Sequence, residues 1–164
     1  MDYRIGFSKD IHRLVENRKL IIAGVEIPYH LGELAHSDGD VLYHALAESI
    51  LGALALGDLG KHFPDTSNET LNMDSGLIVS KVVDMMLEKG YEVNNVDIFV
   101  SLEKPKLKDY IELMRKNVAT LLEVSASQVS IKAGTNEGCG EVGKGEAIEA
   151  TSMIMLKKVI ANIN

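Results

Sequence analysis

One cysteine, Cys139, is all the chain contains, so no disulfide can form within it. It also lacks any apolar run approaching the roughly 20 residues that cross a bilayer. Positive charge is scarce: 17 Lys and Arg against 24 Asp and Glu leave a formal charge of -7. That balance excludes broad, non-specific binding to nucleic acid or to an anionic membrane surface. The opening "MDYRIGFSKD" meets charge almost at once and does not read as a signal peptide. The expectation is a cytoplasmic protein that binds anions, if at all, through local cations or a metal.

What is present is an ordinary globular composition, 46% hydrophobic and 25% charged over 164 residues, enough for one domain, 1–164, with a single core. "YRIGF" and "KLIIAGVEIPY" read as extended pieces, the second broken near Pro28, with "SKDIHRL" between them as a strand end or loop. In "DGDVLYHALAESILGALAL" the residues Val41, Leu42, Ala45, Leu46, Ile50, Leu51 and Leu54 recur at helical spacing, with Ser37 or Asp38 as N-cap. "GDLGKHFPDTSNET" has no period and reads as a loop. A helix over 75–89 stopped by Gly90, a strand at "EVNNVDIFVSLEK", a helix over 107–122, a capped turn at Ser125 or Ser127, and strands "QVSIKAG" and "AIEATSMIMLKKVI" complete the chain.

Two motifs compete for the chemistry. "TNEGCGEVGKGEA" matches dinucleotide-binding and P-loop patterns by letter, but both need a helix to follow, and the residues after Gly145 favour a strand. The stretch is therefore expected to be a glycine-rich connection. "DIH" and "HSDGDVLYH" say more. Asp10 and His12, two apart in extended chain, project from one face, and His44 on the helix would complete a set of one carboxylate and two imidazoles. Three protein donors suit zinc with an open fourth position, as a catalytic site requires. Asp40 is a candidate support for the second nitrogen of His44. His36 and Ser37 precede the helix, where free N–H groups favour a phosphate, or where Ser37 simply caps.

Through "DIHR", "VEIPY", "AHSDGDVLYHAL", "ALGDLGKHFPDT", "SLEKPKL", "IKAGTNE" and "GKGEAIEA", the chain resembles the 2-C-methyl-D-erythritol 2,4-cyclodiphosphate synthase family along nearly its whole length. The resemblance implies an α+β fold, a sheet with helices packed on one face, and a homotrimer whose sheets meet around a threefold axis with active sites at subunit interfaces. It implies zinc on Asp10, His12 and His44, and a second ion, Mg2+ or Mn2+, on Glu137. His36 and Thr135 would stabilise the transition state, and Ser37 would lie near the phosphates. Asp58, Leu59, Gly60, Phe63, Pro64, Asp65, Thr66 and Ser67 would hold the methylerythritol phosphate. Leu102, Glu103, Lys104, Pro105, Lys106, Leu107 and Lys108, with Gly134, Thr135, Asn136 and Glu137, would line the cytidine pocket. Lys144 would approach a diphosphate, and Glu141 would count among the substrate-binding residues. The implied activity is that of a phosphorus–oxygen lyase of non-mevalonate isoprenoid biosynthesis: a cytidine diphosphate substrate closes on itself and expels CMP.

Three positions depart from that family's usual residues. Gly134 replaces a common Thr, Lys144 a frequent Arg, and Glu141 a residue often aromatic or apolar beside the trimer's central cavity. Two other readings stand beside the cyclase: a zinc phosphohydrolase that activates water, and a nucleotide-binding module without turnover.

Overall fold

The computed structural model describes residues 2–64 and 73–159. Its centre is a five-stranded mixed sheet built from β1 (Tyr3–Glu16), β4 (Leu31–Leu34), β5 (Tyr91–Ser101), β6 (Val129–Gly134) and β7 (Ala147–Lys158), in the order β4-β1-β7-β5-β6. Strand β7 pairs antiparallel with β1 from Tyr3↔Lys157 to Arg13↔Ala147 and with β5 on its other side. Only β6 runs parallel to its neighbour, β5, which requires a crossover. Helix α4 (Ile111–Leu121), a short 3-10 turn at Ala126–Gln128 and the capping box of Ser125 with Gln128 supply it.

Of the two readings of "SKDIHRL", strand end or loop, the structure takes the strand and carries it further: Ser8–Leu14 lie within the fourteen-residue β1. Pairing with β7 along its length explains this, since a ladder outweighs weak local preference. The second extended piece ends before Pro28, as expected, with β3 stopping at Ile27, and it also turns at Ala23–Gly24. There β2 (Leu20–Ile22) and β3 (Val25–Ile27) form a hairpin whose two turn residues both have positive φ, 51° and 70°, the geometry that two-residue hairpins favour. Ala23 tolerates it because its N–H, with that of Gly24, is held by the Asp40 carboxylate.

Helix α1 (Val41–Ala53) carries the expected apolar stripe, but its N-cap is Asp40 and neither Ser37 nor Asp38. It lies across β1 and β7, with Leu42, Leu46 and Ile50 fully buried beside Ile148 and Ile154. The approach is close: a Cβ added at Gly6 of β1 would sit 1.8 Å from the Ser49 carbonyl oxygen of α1. Helix α3 (Ser75–Glu88) ends at Gly90, φ +74°, as its sequence indicates. Two single turns escape the periodicity reading, α2 (Leu59–His62) and α5 (Gly140–Gly143). Each is too short to show a period, and Asp58 caps the first.

Helices cover one face of the sheet. On the other, Ile5 (64% exposed), Phe7 (58%), Ile11 (50%) and Met153 (52%) stand open, a larger apolar display than a lone sheet face normally leaves. Among the described residues, no helix is long and apolar enough to cross a membrane.

Gly6→Ala should drive β1 away from α1 and cost about 3 kcal/mol, a fall in Tm of roughly 6–12 °C for a chain of this size. Thermal unfolding followed by circular dichroism checks this, and an unchanged Tm would mean that α1 is not seated on β1 as described.

Candidate metal centre and a separate nucleotide-sized pocket

Alternation along β1 turns Asp10 and His12 toward the helices, and the second turn of α1 brings His44 over them. His12 Nε2 lies 3.1 Å from Asp10 Oδ2, His44 Nδ1 lies 3.4 Å from the same oxygen, and the two nitrogens are 3.3 Å apart. Three donors on so even a triangle match one face of a tetrahedron. Around an ion bonded at about 2.0–2.1 Å, the zinc–nitrogen range, neighbouring ligands sit about 3.3 Å apart. Among the described residues this is the one cluster of metal-ligating side chains.

Both imidazoles are fixed from behind. His12 Nδ1 faces two acceptors at 2.8 Å, Glu33 Oε2 and the Gly39 carbonyl, so its hydrogen sits there and Nε2 is left as the ligand atom. His44 Nε2 lies 3.0 Å from both Ser37 Oγ and Ser75 Oγ, and Ser75 in turn donates to Asp38. Asp10 Oδ1 accepts the Ile11 N–H at 2.9 Å, which leaves Oδ2 to face the nitrogens.

The support expected from Asp40 is therefore absent. Asp40 is fully buried and accepts from the N–H groups of Ala23, Gly24 and Tyr43; Ser75, with Asp38 behind it, performs the task assigned to it. Nor is the start of α1 the free set of donors expected for a phosphate. The Val41 N–H is taken by Glu33 and that of Tyr43 by Asp40. Ser37 does not cap the helix; its Oγ accepts from the Gly39 N–H.

The triad opens into a pocket of about 320 Å³, which His36, Ser37, Leu59, Gly60 and Phe63 also line. Asp58 is exposed and caps α2, its Oδ1 accepting the Lys61 N–H; Pro64, next after Phe63, is exposed and does not line the pocket, and Asp65, Thr66 and Ser67 lie outside the described residues. Glu48, unnoticed in the sequence reading, joins the pocket, held by Ser8 Oγ at 3.0 Å. Its place one helical turn after His44 was the available signal. Glu33 and Ser75 carried none, because an acid between turn residues and a serine after a cap read as surface.

A second pocket, about 300 Å³, gathers Leu102, Pro105, Lys106, Leu107, Lys108, Gly134 and Thr135. Glu103 accepts the Asn136 N–H at 3.1 Å, and Thr135 Oγ1 donates to Glu137 Oε1 at 3.3 Å; Lys104 belongs to the same loop. A Cβ at Gly134 would come within 2.8 Å of the Phe99 ring, so glycine lets that ring lie across the pocket's edge. The glycine-rich stretch is mostly turn: Gly138, Gly140 and Gly145 have positive φ, and Gly143 packs against the Gly138 backbone before β7 begins. Exposed Lys144 ends the α5 turn, and Glu141 faces a third depression with Arg13 and Glu146. The two main pockets share no residue and lie toward opposite edges of the sheet, one at β1 and one at β6.

Fold and site together define an α+β protein with an open, three-donor candidate metal site and a distinct second pocket of similar volume. Residues 3–157 match the sequence profile of the YgbB family, and the chain belongs to that family. A 2-C-methyl-D-erythritol 2,4-cyclodiphosphate synthase of Brachyspira hyodysenteriae is 50% identical over 155 residues, 94% of this chain and 98% of the relative. The same enzyme of Carboxydothermus hydrogenoformans is 49% identical over 162 residues, 99% of each chain. Among solved structures, an IspF of Plasmodium falciparum described as a CDP complex superposes with a TM-score of 0.85 at 35% identity, covering 96% of this chain and 97% of that one.

In the metal-free protein the cluster retains protons. Burial disfavours a charged His12, yet its bonds to Asp10 and Glu33 push it up to about 10. Burial pushes Glu33 up to about 8 against the pull of His12, and Asp40 up to about 7 against three N–H groups. Asp10 goes the other way: burial would raise it, but His12 and His44 hold it well below the usual carboxylate range. The stability due to His12 is whole below its ordinary value of 6.5 and is lost as pH rises through about 10. Glu33 and Asp40 also bind more protons folded than unfolded and act in the same direction. In excess chelator, Tm should fall from about pH 6.5 to about pH 9; a Tm that rises over that interval contradicts the proton-bound cluster.

Proposed function

We propose that this chain converts 4-diphosphocytidyl-2-C-methyl-D-erythritol 2-phosphate to 2-C-methyl-D-erythritol 2,4-cyclodiphosphate and CMP, a phosphorus–oxygen lyase reaction of isoprenoid precursor synthesis in the cytoplasm. The observation that carries this reading is the three-donor centre opening directly onto the pocket of His36 and Ser37. An oxygen of the 2-phosphate forms a bond to the β-phosphorus as the bond from that phosphorus to the CMP oxygen breaks. No water enters and no enzyme nucleophile is needed.

The chain's work is alignment and neutralisation, because two tethered phosphates repel one another and must approach in line. His36 and Ser37 hold the phosphate that meets the metal centre; Thr135 steadies the departing side. Asp58, Leu59, Gly60 and the segment from Phe63 to Ser67 embrace the methylerythritol portion. The loop from Leu102 to Lys108, with Gly134 to Glu137, receives cytidine. Zinc held by Asp10, His12 and His44 supplies a Lewis acid for a phosphate oxygen. Glu137 offers a hard oxygen to Mg2+ or Mn2+ on the diphosphate.

The separation of the two pockets supports an assembly. A substrate that spans the metal centre and the cytidine loop is held between two copies, the β4–β1 side of one and the β6 edge of the next. The open apolar face around Ile5, Phe7, Ile11 and Met153 suits burial against such copies; a closed ring leaves no such contact unmet, and the family resemblance makes that ring a homotrimer.

Phosphorus NMR of the protein with this substrate and magnesium should show a cyclic diphosphate and CMP, abolished by a zinc chelator. His44→Ala should slow product formation at least about 100-fold. Inorganic phosphate as product, or an undiminished rate in that variant, would overturn the reading.

A further inference from the structure

We propose that Glu33 is a positioning residue of the metal centre, whose buried carboxylate holds the Nδ1 hydrogen of His12 and lends its negative charge to the ion bound at Nε2. The inference rests on reading Asp10, His12 and His44 as a zinc site.

Glu33 belongs to β4, is 0% exposed, and sets Oε2 at 2.8 Å from His12 Nδ1 and 3.0 Å from the Val41 N–H. Its other oxygen, Oε1, is the one buried side-chain nitrogen or oxygen among the described residues without a hydrogen-bond partner. A half-satisfied carboxylate in the interior is costly. Neither neutral task at this position requires the charge. The Gly39 carbonyl, also 2.8 Å from His12 Nδ1, already sets the tautomer, and an uncharged acceptor would serve Val41.

Arg18 does not neutralise the carboxylate, because its guanidinium donates to the carbonyls of Glu33, Ala35 and Ser37. Those bonds instead pin the loop and fix where Glu33 stands. In the metal-free protein that charge faces protonated His12; with a metal bound at Nε2 the imidazole is neutral, and what the charge then answers is the cation beyond it. With Asp10 alone a divalent ion keeps a net positive charge; with Glu33 as well, the centre is neutral. A carboxylate behind a ligating imidazole also raises the basicity of the ligand nitrogen.

The test is zinc affinity, by competition with a chromophoric chelator, for the unchanged protein, Glu33→Gln and Glu33→Leu. Thermal unfolding of each metal-free protein and the visible absorption of each cobalt-loaded protein accompany it. Glu33→Gln keeps shape and removes charge. It should fold, bind zinc at least about tenfold more weakly, and shift the cobalt bands. A smaller loss of zinc affinity in Glu33→Gln overturns the proposal and leaves Glu33 a packing residue. If Glu33→Leu does not fold, Glu33→Gln decides alone. An unchanged protein that binds no zinc would overturn the zinc reading itself, and this inference with it.

Discussion

Two buried carboxylates, Asp40 and Glu33, hold the first turn of α1, and the metal centre depends on that grip. Asp40 ties the helix start to the Ala23–Gly24 hairpin turn, while Glu33 joins the Val41 N–H to the ring of His12. The helix is thereby fixed in rotation as well as position, so that His44 meets Asp10 and His12 at 3.3–3.4 Å instead of pointing past them. Close contact of α1 with Gly6 sets the height of the helix above the strand. A site of three donors from two elements needs both constraints.

The same grip shapes what the site can do. Because Glu33 and Asp40 occupy two of the first N–H groups of α1, the helix end has fewer free donors to offer an anion in the pocket. The nucleotide-sized pocket lies toward the other edge of the sheet, and β7, the strand with two full-length partners, holds the edges apart. Under the proposed function a reaction that uses both pockets takes place in an assembly, and the exposed apolar face of β1 and β7 suits one.

Much of this was legible in the sequence. The period-two spacing of Asp10 and His12 and the helical stripe around His44 identified the triad before any coordinates, and the β-branched residues after Gly145 ruled against a phosphate-binding helix. What stayed hidden was long-range. Strand β1 reads as broken because its continuity comes from pairing with β7, more than a hundred residues away. Asp40 reads as a partner for His44, and only the folded hairpin shows that it is buried under the Ala23–Gly24 turn instead. Ser75 and Glu33 have no local pattern that marks them as supports for imidazoles, since their partners arrive from other elements. The single turns α2 and α5 are shorter than any periodicity can report.

The most direct test of the central claim is X-ray absorption at the zinc edge of the loaded protein. The account predicts about four nitrogen and oxygen neighbours near 2.0 Å, with outer-shell scattering from two imidazoles. A sulfur neighbour at about 2.3 Å, or an all-oxygen shell without imidazole scattering, would contradict it.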